Sequence, residues 1–328
     1  MKFGWRTCQA EPVEWGRQKT QPGKDTMAHH PLRERVIAQF AKGWTRARPE
    51  TATVAVERLT ELYDRFRDAG LADRIFEQQL TCGQPSTYAQ RVGELLLADM
   101  LWHDGFFLES KNEGPDFLAT KDGKSAWIEL QTPEPAGIPK DYLAEFCTGK
   151  VRAVPHAAIN LRWTAAVAEK TKKLHGYLES GVVKADQPYI IAVNTHLLSP
   201  FAMTGLYGVS GKPVAVEVLF SVGPIQVQID RFSGDIVDQC HQHRPVLDKP
   251  GTKNKVPSDT FLNEQNACIS AVLGLDLMEN VMIDGQHPSA LVYNPLAANP
   301  ITPRWIGAQE HWHCTIGSEE YMVQRLDQ

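Results

Sequence analysis

The sequence predicts an α/β fold in which helices flank a mixed β-sheet, and three observations lead to that prediction. The N-terminal third carries apolar residues at three- and four-residue spacing, which is typical of amphipathic helices. After Gly105 the chain changes to short segments rich in aromatic and β-branched residues, separated by turn formers. A long helical pattern then precedes a short apolar segment, as in a crossover to a buried parallel strand.

The first part of the chain is predicted to be helical. Three helices are predicted, over residues 33–44, 51–70 and 87–105. Gly70 and Gly105 suit the C-terminal ends of the second and third helices. Residues 31–105 therefore form a helical region leading into the core. Residues 1–30 are polar and lack a regular period, so we expect a flexible tail there, with Met27 as an alternative start.

A three-strand meander is predicted next. Its strands are placed at residues 106–110, 116–122 and 125–133. Asp122-Gly123 predicts a tight hairpin turn between the last two strands. The following elements are predicted as a helix at about 161–180, strands at 188–194, 215–222 and 225–230, and an exposed loop at 231–262. Residues 106–328 thus make up the α/β core with a C-terminal extension.

Composition and charge set wider bounds. The 328 residues are 42% hydrophobic and 22% charged, which is ordinary for a globular protein with a substantial core. No apolar run approaches the roughly 18 to 20 residues that span a bilayer, and the N-terminus lacks the apolar region of a secretory signal. The six cysteines form no CxxC pair, so we expect reduced thiols and a cytoplasmic location. Net charge is −5, yet seven Lys or Arg between residues 150 and 184 form a local basic strip. A solvated helix face would explain that strip equally.

Two carboxylates are predicted to meet across the hairpin. Asp116 and Glu129 each lie six residues from the Asp122-Gly123 turn, so they fall near the same level of the ladder. Opposed side chains lie within several ångström of each other, and two such carboxylates repel unless a cation lies between them. One or two carboxylates, completed by waters and phosphate oxygens, suit Mg²⁺. Gln131 faces the same side as Glu129.

Two further charged residues occupy apolar surroundings. Glu94 lies in a helix that is apolar on most sides, where it either reaches the site, faces a narrow exposed strip or pairs with Arg91. Lys170 lies in the middle of an apolar stripe on the crossover helix, in which residues recur at spacings of four and three. A lysine there needs an acid or a phosphate, unless its stem packs while its ammonium reaches water.

These residues resemble the motifs of the PD-(D/E)XK phosphodiesterase superfamily, which has the restriction-endonuclease-like fold. Pro115-Asp116 matches the first part of the motif, and Glu129-Leu130-Gln131 matches the second, with glutamine where lysine is usual. Glu94 fits a helical glutamate that often precedes them. The segment from Lys173 to Tyr177 is similar to a later helix motif. The resemblance covers about a third of the chain, from Glu94 to Asn194.

The resemblance implies a metal-dependent nuclease. Its metal, Mg²⁺ or Mn²⁺, would be held by Asp116, Glu129 and the backbone carbonyl of Leu130, with Glu94 as a further ligand. Nucleic acid is the implied partner, DNA rather than RNA, and relatives with this fold often act as homodimers. The alternative is an inactive nucleic-acid-binding or protein-interaction module on the same fold.

The glutamine decides between these two functions. Gln131 carries no positive charge and relays no proton, so a catalytic lysine has to come from elsewhere. Lys170 is the first candidate on the next helix and Lys173 the second. Arg162, Lys172 and Lys173 are the residues expected to bind the phosphates of nucleic acid.

Overall fold

The computed structural model describes residues 31–111, 113–144 and 152–327. The tail predicted at residues 1–30 lies outside the described residues. The helices are α1 (Pro31–Gly43), α2 (Pro49–Asp68), α3 (Phe76–Leu80), α4 (Pro85–His103), α5 (Lys140–Leu143), α6 (His156–Glu179), α7 (Val214–Leu219) and α8 (Val281–Asp284). Two short 3-10 helices, Thr260–Leu262 and Glu264–Asn266, lie between α7 and α8 in the chain.

The strands assemble into one large sheet and two small ribbons. They are β1 (Phe107–Glu109), β2 (Phe117–Lys121), β3 (Lys124–Gln131), β4 (Tyr189–Asn194), β5 (Val222–Ile229), β6 (Ile236–His243), β7 (Val246–Asp248), β8 (Lys255–Pro257), β9 (Ala271–Leu275), β10 (Ser289–Tyr293), β11 (Glu310–Ile316) and β12 (Tyr321–Arg325). The large sheet has eight strands in the order β1-β2-β3-β4-β9-β10-β11-β12. Its central strands β3, β4 and β9 are parallel, and β1, β2 and β3 form the antiparallel meander. The predicted α/β fold with a mixed sheet is therefore confirmed.

Helices cover both faces of this sheet. Residues of α1, α2, α3 and α4 pack with one face, which includes Ile128 and Leu130 of β3. Residues of α6 and α7 pack with the other face, where Trp127 and Trp163 are both buried. All six residues of β4 are buried, as expected for a strand covered on both sides. The helical region of residues 31–105 thus shares a hydrophobic core with the sheet.

The chain differs from the predicted elements in its second half. The strand predicted at residues 215–222 is wrong, because the helix α7 occupies most of that segment. All six residues of α7 are buried. A short, mostly apolar segment, here interrupted in α7 by Glu217 alone, fits a buried helix as well as a buried strand. The exposed loop predicted at 231–262 is also wrong in part, since β6, β7 and β8 lie within it. The predicted C-terminal extension supplies β9 to β12, which complete the large sheet.

Two antiparallel strand pairs differ sharply in their surroundings. We call β2 and β3 the inner hairpin, because β3 continues into the centre of the large sheet. We call β5 and β6 the outer ribbon, because they pair only with each other and are exposed over most of their length. Of the helices that the structure describes, none combines the length and apolar character needed to cross a membrane.

Candidate active site

The inner hairpin places Asp116 opposite Glu129. Its turn residues Asp122 and Gly123 both have positive φ, 53° and 72°, as a two-residue turn of type I′ requires. The register runs from Lys121 opposite Lys124 to Phe117 opposite Ile128, so Asp116 and Glu129 are the next residues of the two segments. The predicted register of the hairpin is therefore confirmed. Because β2 begins only at Phe117, the end of β3 has a strand partner on its β4 side alone.

Glu129 is neutralised by two lysines of α6. Its side chain is 1% exposed, and Lys170 Nζ and Lys173 Nζ each donate to its Oε1 at 2.8 Å. The other oxygen, Oε2, is buried and has no hydrogen-bond partner. The Lys170 side chain is 6% exposed and that of Lys173 is 51% exposed. The lysine within the apolar stripe thus meets an acid, as one of the two sequence alternatives requires.

Asp116 is held by the backbone of the opposite strand. The backbone N–H of Leu130 donates to its Oδ2 at 2.6 Å, in the place where a strand partner would otherwise accept. Burial raises the pKa of Asp116 to about 8, and the negative charges of Glu94 and Glu129 act in the same direction. The positive charge of Lys170 opposes them. Three carboxylates therefore converge closely enough to disfavour ionisation of Asp116, a condition that a bound cation would relieve.

Glu94 enters the site from α4 and is fully paired there. Arg91 Nη1 donates to its Oε2 at 2.7 Å, and Gln90 Nε2 donates to its Oε1 at 3.0 Å. Burial raises the pKa of Glu94, although both partners oppose this. The pairing with Arg91 considered from the sequence is present. It coexists with a position at the site, because the charge of Glu94 acts on Asp116.

Gln90 links α4 to the end of β3. Its Nε2 also donates to the carbonyl of Leu130 at 3.3 Å, and its Oε1 accepts from the backbone N–H of Thr132 at 2.7 Å. Gly93, the residue before Glu94, lies close to the same end of β3. A Cβ at Gly93 would lie 3.1 Å from a side-chain atom of Leu130 and 3.2 Å from Thr132 Oγ1. A larger residue at this position would require a neighbouring side chain or the helix to shift by a few tenths of an ångström.

A cavity of about 610 Å³ opens onto these groups. It lies between α4, the end of β3 and α6. Its lining residues are Asp73, Gln79, Ser86, Thr87, Gln90, Arg91, Glu94, Asp116, Gln131, Thr132, Glu134, Arg162, Glu169, Lys170 and Lys173. The lining combines carboxylates with arginine and lysine side chains. It can therefore hold a cation and an anionic group side by side.

The structure brings most of the predicted site residues together. Asp116, Gln131, Lys170 and Lys173 line one cavity, with Glu129 buried directly behind them. Arg162 lines the same cavity, and its Nε is buried without a partner. Lys172 is the exception, because it is exposed and does not line the cavity. It lies two positions after Lys170 on α6, a rotation of about 200° that turns it away.

The donor set fits a cation bound through two carboxylates. Over the residues that the structure describes, no group of three or more His, Cys, Asp or Glu has an arrangement that could hold a metal ion. Mg²⁺ needs only one or two carboxylates when waters and phosphate oxygens complete its shell. Asp116 lines the cavity, whereas Glu129 is 1% exposed and is not among the lining residues. The carbonyl of Leu130 already accepts from Gln90, so it is a weaker ligand than the resemblance implies.

Sequence reasoning missed three residues of the site. Gln90 and Thr132 carry no motif, and only the contact between α4 and β3 gives them a role. Tyr189 follows a proline at the start of β4, and its buried hydroxyl lacks a hydrogen-bond partner. Burial raises the pKa of Tyr189, and the charge of Glu129 adds to this effect. A tyrosine opening an otherwise aliphatic strand was the one available signal.

Comparison with known proteins gives this site no precedent, since no family model, curated protein or solved structure matches the chain.

Proposed function

We propose that this chain is a metal-dependent nuclease that hydrolyses phosphodiester bonds, in DNA rather than RNA. One observation carries the proposal: the buried ammonium of Lys170 lies 2.8 Å from Glu129, on the strand opposite Asp116. A lysine is thus available beside the two carboxylates although position 131 is a glutamine. This combination supports the resemblance to the PD-(D/E)XK superfamily and favours an endonuclease of that kind.

Each residue then has a separate task. Asp116 and Glu129 would hold Mg²⁺ or Mn²⁺, with Glu94 and the Leu130 carbonyl beside them. When bound, the cation supplies a water of lowered pKa and positive charge for the phosphate. Lys170 orients the attacking water and offsets the negative charge that develops on the phosphate.

The cavity wall supplies the contacts to substrate. Lys173 and Arg162 line it from the same helix and can each bind a non-bridging phosphate oxygen. Gln131 also lines the cavity, and its amide can donate a hydrogen bond to a phosphate but cannot supply charge.

An inactive binding module is the second candidate. The observation in its favour is that protein donors already engage both oxygens of Glu94, one oxygen of Asp116 and one of Glu129. Gln131 in place of lysine adds to this. Such a module would bind nucleic acid through the same cavity without hydrolysing it.

Cleavage of supercoiled plasmid, single-stranded DNA and RNA in Mg²⁺ or Mn²⁺ separates the two functions. The variants are Asp116→Asn, Glu129→Gln and Lys170→Met. Each is expected to lower the cleavage rate by at least about 100-fold, because each removes a metal ligand or the group that acts on the water. Asp238→Asn removes a carboxylate from the outer ribbon and is the matched control.

The outcomes differ clearly. Metal-dependent cleavage that persists in Asp238→Asn and is lost in the three site variants supports the nuclease. Equal cleavage by all variants identifies a contaminating nuclease and removes the support. Binding of the same substrates without cleavage in either metal would establish the inactive module instead. Thermal unfolding of each variant separates loss of activity from loss of fold.

A further inference from the structure

The two oxygens of Glu129 are unequally used. Both ammonium groups donate to Oε1, whereas neither donates to Oε2, which is buried. A buried carboxylate oxygen without a donor is unfavourable in a folded protein. Two ammonium groups on one oxygen also repel each other. The pairing of Glu129 with both lysines is therefore not optimal in the empty site, and a cation bound at Oε2 would change it.

The two lysines are not equivalent partners. Lys170 has a 6% exposed side chain and lies within the apolar stripe of α6, so its largely buried ammonium group would lose a needed partner on leaving Glu129. Lys173 is 51% exposed, one turn further along, where it can exchange Glu129 for water or for an anion at little cost. Lys173 is therefore the more readily displaced of the two lysines.

Charged groups of both signs meet in the site before any ligand binds. Glu94, Asp116 and Glu129 stand against Arg91, Lys170 and Lys173. A divalent cation bound at Glu129 would repel the ammonium group of Lys173, which contacts the same carboxylate. A substrate phosphate would offer that ammonium group another anionic partner.

We propose that Lys173 is a displaceable counter-ion that occupies Glu129 in the empty site and transfers to a substrate phosphate when a divalent cation binds. This inference rests on the proposed function. It makes cation and phosphate binding mutually reinforcing, since each lowers the electrostatic cost of the other. The two lysines that contact Glu129 Oε1 then have different roles. Lys170 stays on Glu129, and Lys173 moves to the phosphate.

Binding of Mn²⁺ alone, measured by electron paramagnetic resonance and calorimetry at low ionic strength, tests the proposal without turnover. Lys173→Met removes the competing charge and keeps the length of the side chain. It is expected to tighten Mn²⁺ binding about tenfold, because one unit charge a few ångström away is removed in a partly screened setting. Lys172→Met, a neighbouring exposed lysine off the cavity, is the matched control and is expected to leave the affinity unchanged.

A second measurement follows the phosphate. A short fluorescent oligonucleotide titrated in Ca²⁺ is expected to bind Lys173→Met several-fold more weakly than the parent protein. The coupling between cation and oligonucleotide should also shrink in that variant. Unchanged or weaker Mn²⁺ binding by Lys173→Met, with binding abolished in Asp116→Asn, overturns the counter-ion proposal and leaves the metal site intact. Absence of Mn²⁺ binding in both the parent and Lys173→Met overturns the proposed function as well.

Discussion

The inner hairpin and the outer ribbon are built alike and used differently. Each is a pair of antiparallel strands closed by a turn containing a glycine with positive φ, Gly123 in one and Gly234 in the other. The inner hairpin buries a charged group, since Glu129 is 1% exposed. The outer ribbon exposes apolar groups, and Phe232 in its turn is fully exposed.

The difference teaches that context, rather than strand composition, marks a functional segment. Burying a carboxylate is costly, so it persists only with partners such as Lys170. An exposed apolar side chain is common on protein surfaces and by itself indicates nothing. The buried carboxylate of the inner hairpin therefore indicates a chemical role, and the exposed apolar residues of the outer ribbon indicate none.

The largest contrast is expected when one phenylalanine is replaced by alanine in the inner hairpin and another in the outer ribbon. Phe117→Ala in the inner hairpin removes a buried ring that packs edge-on against Phe66, and should lower the free energy of unfolding by about 3 to 5 kcal/mol. Phe232→Ala in the outer ribbon should change it by less than about 0.5 kcal/mol. Urea unfolding measures both. Comparable losses would mean that the outer ribbon packs against something in solution.

A smaller contrast is expected in the pH dependence of stability. The pKa of Asp116 is raised to about 8, so the folded state holds a proton that the unfolded state releases near pH 4. The stabilisation from this proton is present at low pH and is lost as pH rises through about 8. Asp116→Asn removes the ionisable group, so the variant does not lose this stability as pH rises. The variant should therefore gain on the order of 2 kcal/mol relative to the parent between about pH 5 and pH 8, a figure discounted for partial exposure.

Thermal unfolding at both pH values checks this expectation. Asp238→Asn in the outer ribbon is the control for the loss of one carboxylate. Saturating Mg²⁺ should diminish the difference at high pH, because a bound cation favours the ionised carboxylate. A stability difference that shrinks as pH rises would contradict the assignment.

The smallest contrast is expected from the two turns. Gly123 has φ 72° and Gly234 has φ 77°, where a Cβ is strained. Gly123→Ala should lower global stability by about 1 kcal/mol. Gly234→Ala should leave global unfolding unchanged and only speed amide exchange within the outer ribbon, since that ribbon can open by itself. Native-state hydrogen exchange distinguishes the two results. Equal effects on global unfolding would show that the inner hairpin and the outer ribbon unfold as one unit.

The predictable part of the molecule is the part with a regular pattern. The type I′ turn at Asp122-Gly123 sets the hairpin register, so the opposition of Asp116 and Glu129 follows from counting residues. Lys170 is found in the same way, because it interrupts an apolar stripe of helical period. Both inferences use only short-range geometry.

The unpredictable part depends on contacts between distant segments. Gln90 resembles any polar residue on a helix until α4 meets the end of β3, 40 residues further along. The segment that becomes α7 is apolar except for Glu217, so its period does not distinguish a helix from a strand. The outer ribbon lacks a buried face, and its second strand shows no alternation that could have revealed it.

The place of β4 in the sheet has a consequence for synthesis of the chain. Every residue from Tyr189 to Asn194 is buried, and one edge of this strand pairs with β3. The other edge pairs with β9, which leaves the ribosome roughly eighty residues and ten seconds later. A nascent chain that ends before Ala271 therefore presents an apolar strand with one open edge. Such chains are expected to need a chaperone, or to aggregate, until β9 is added.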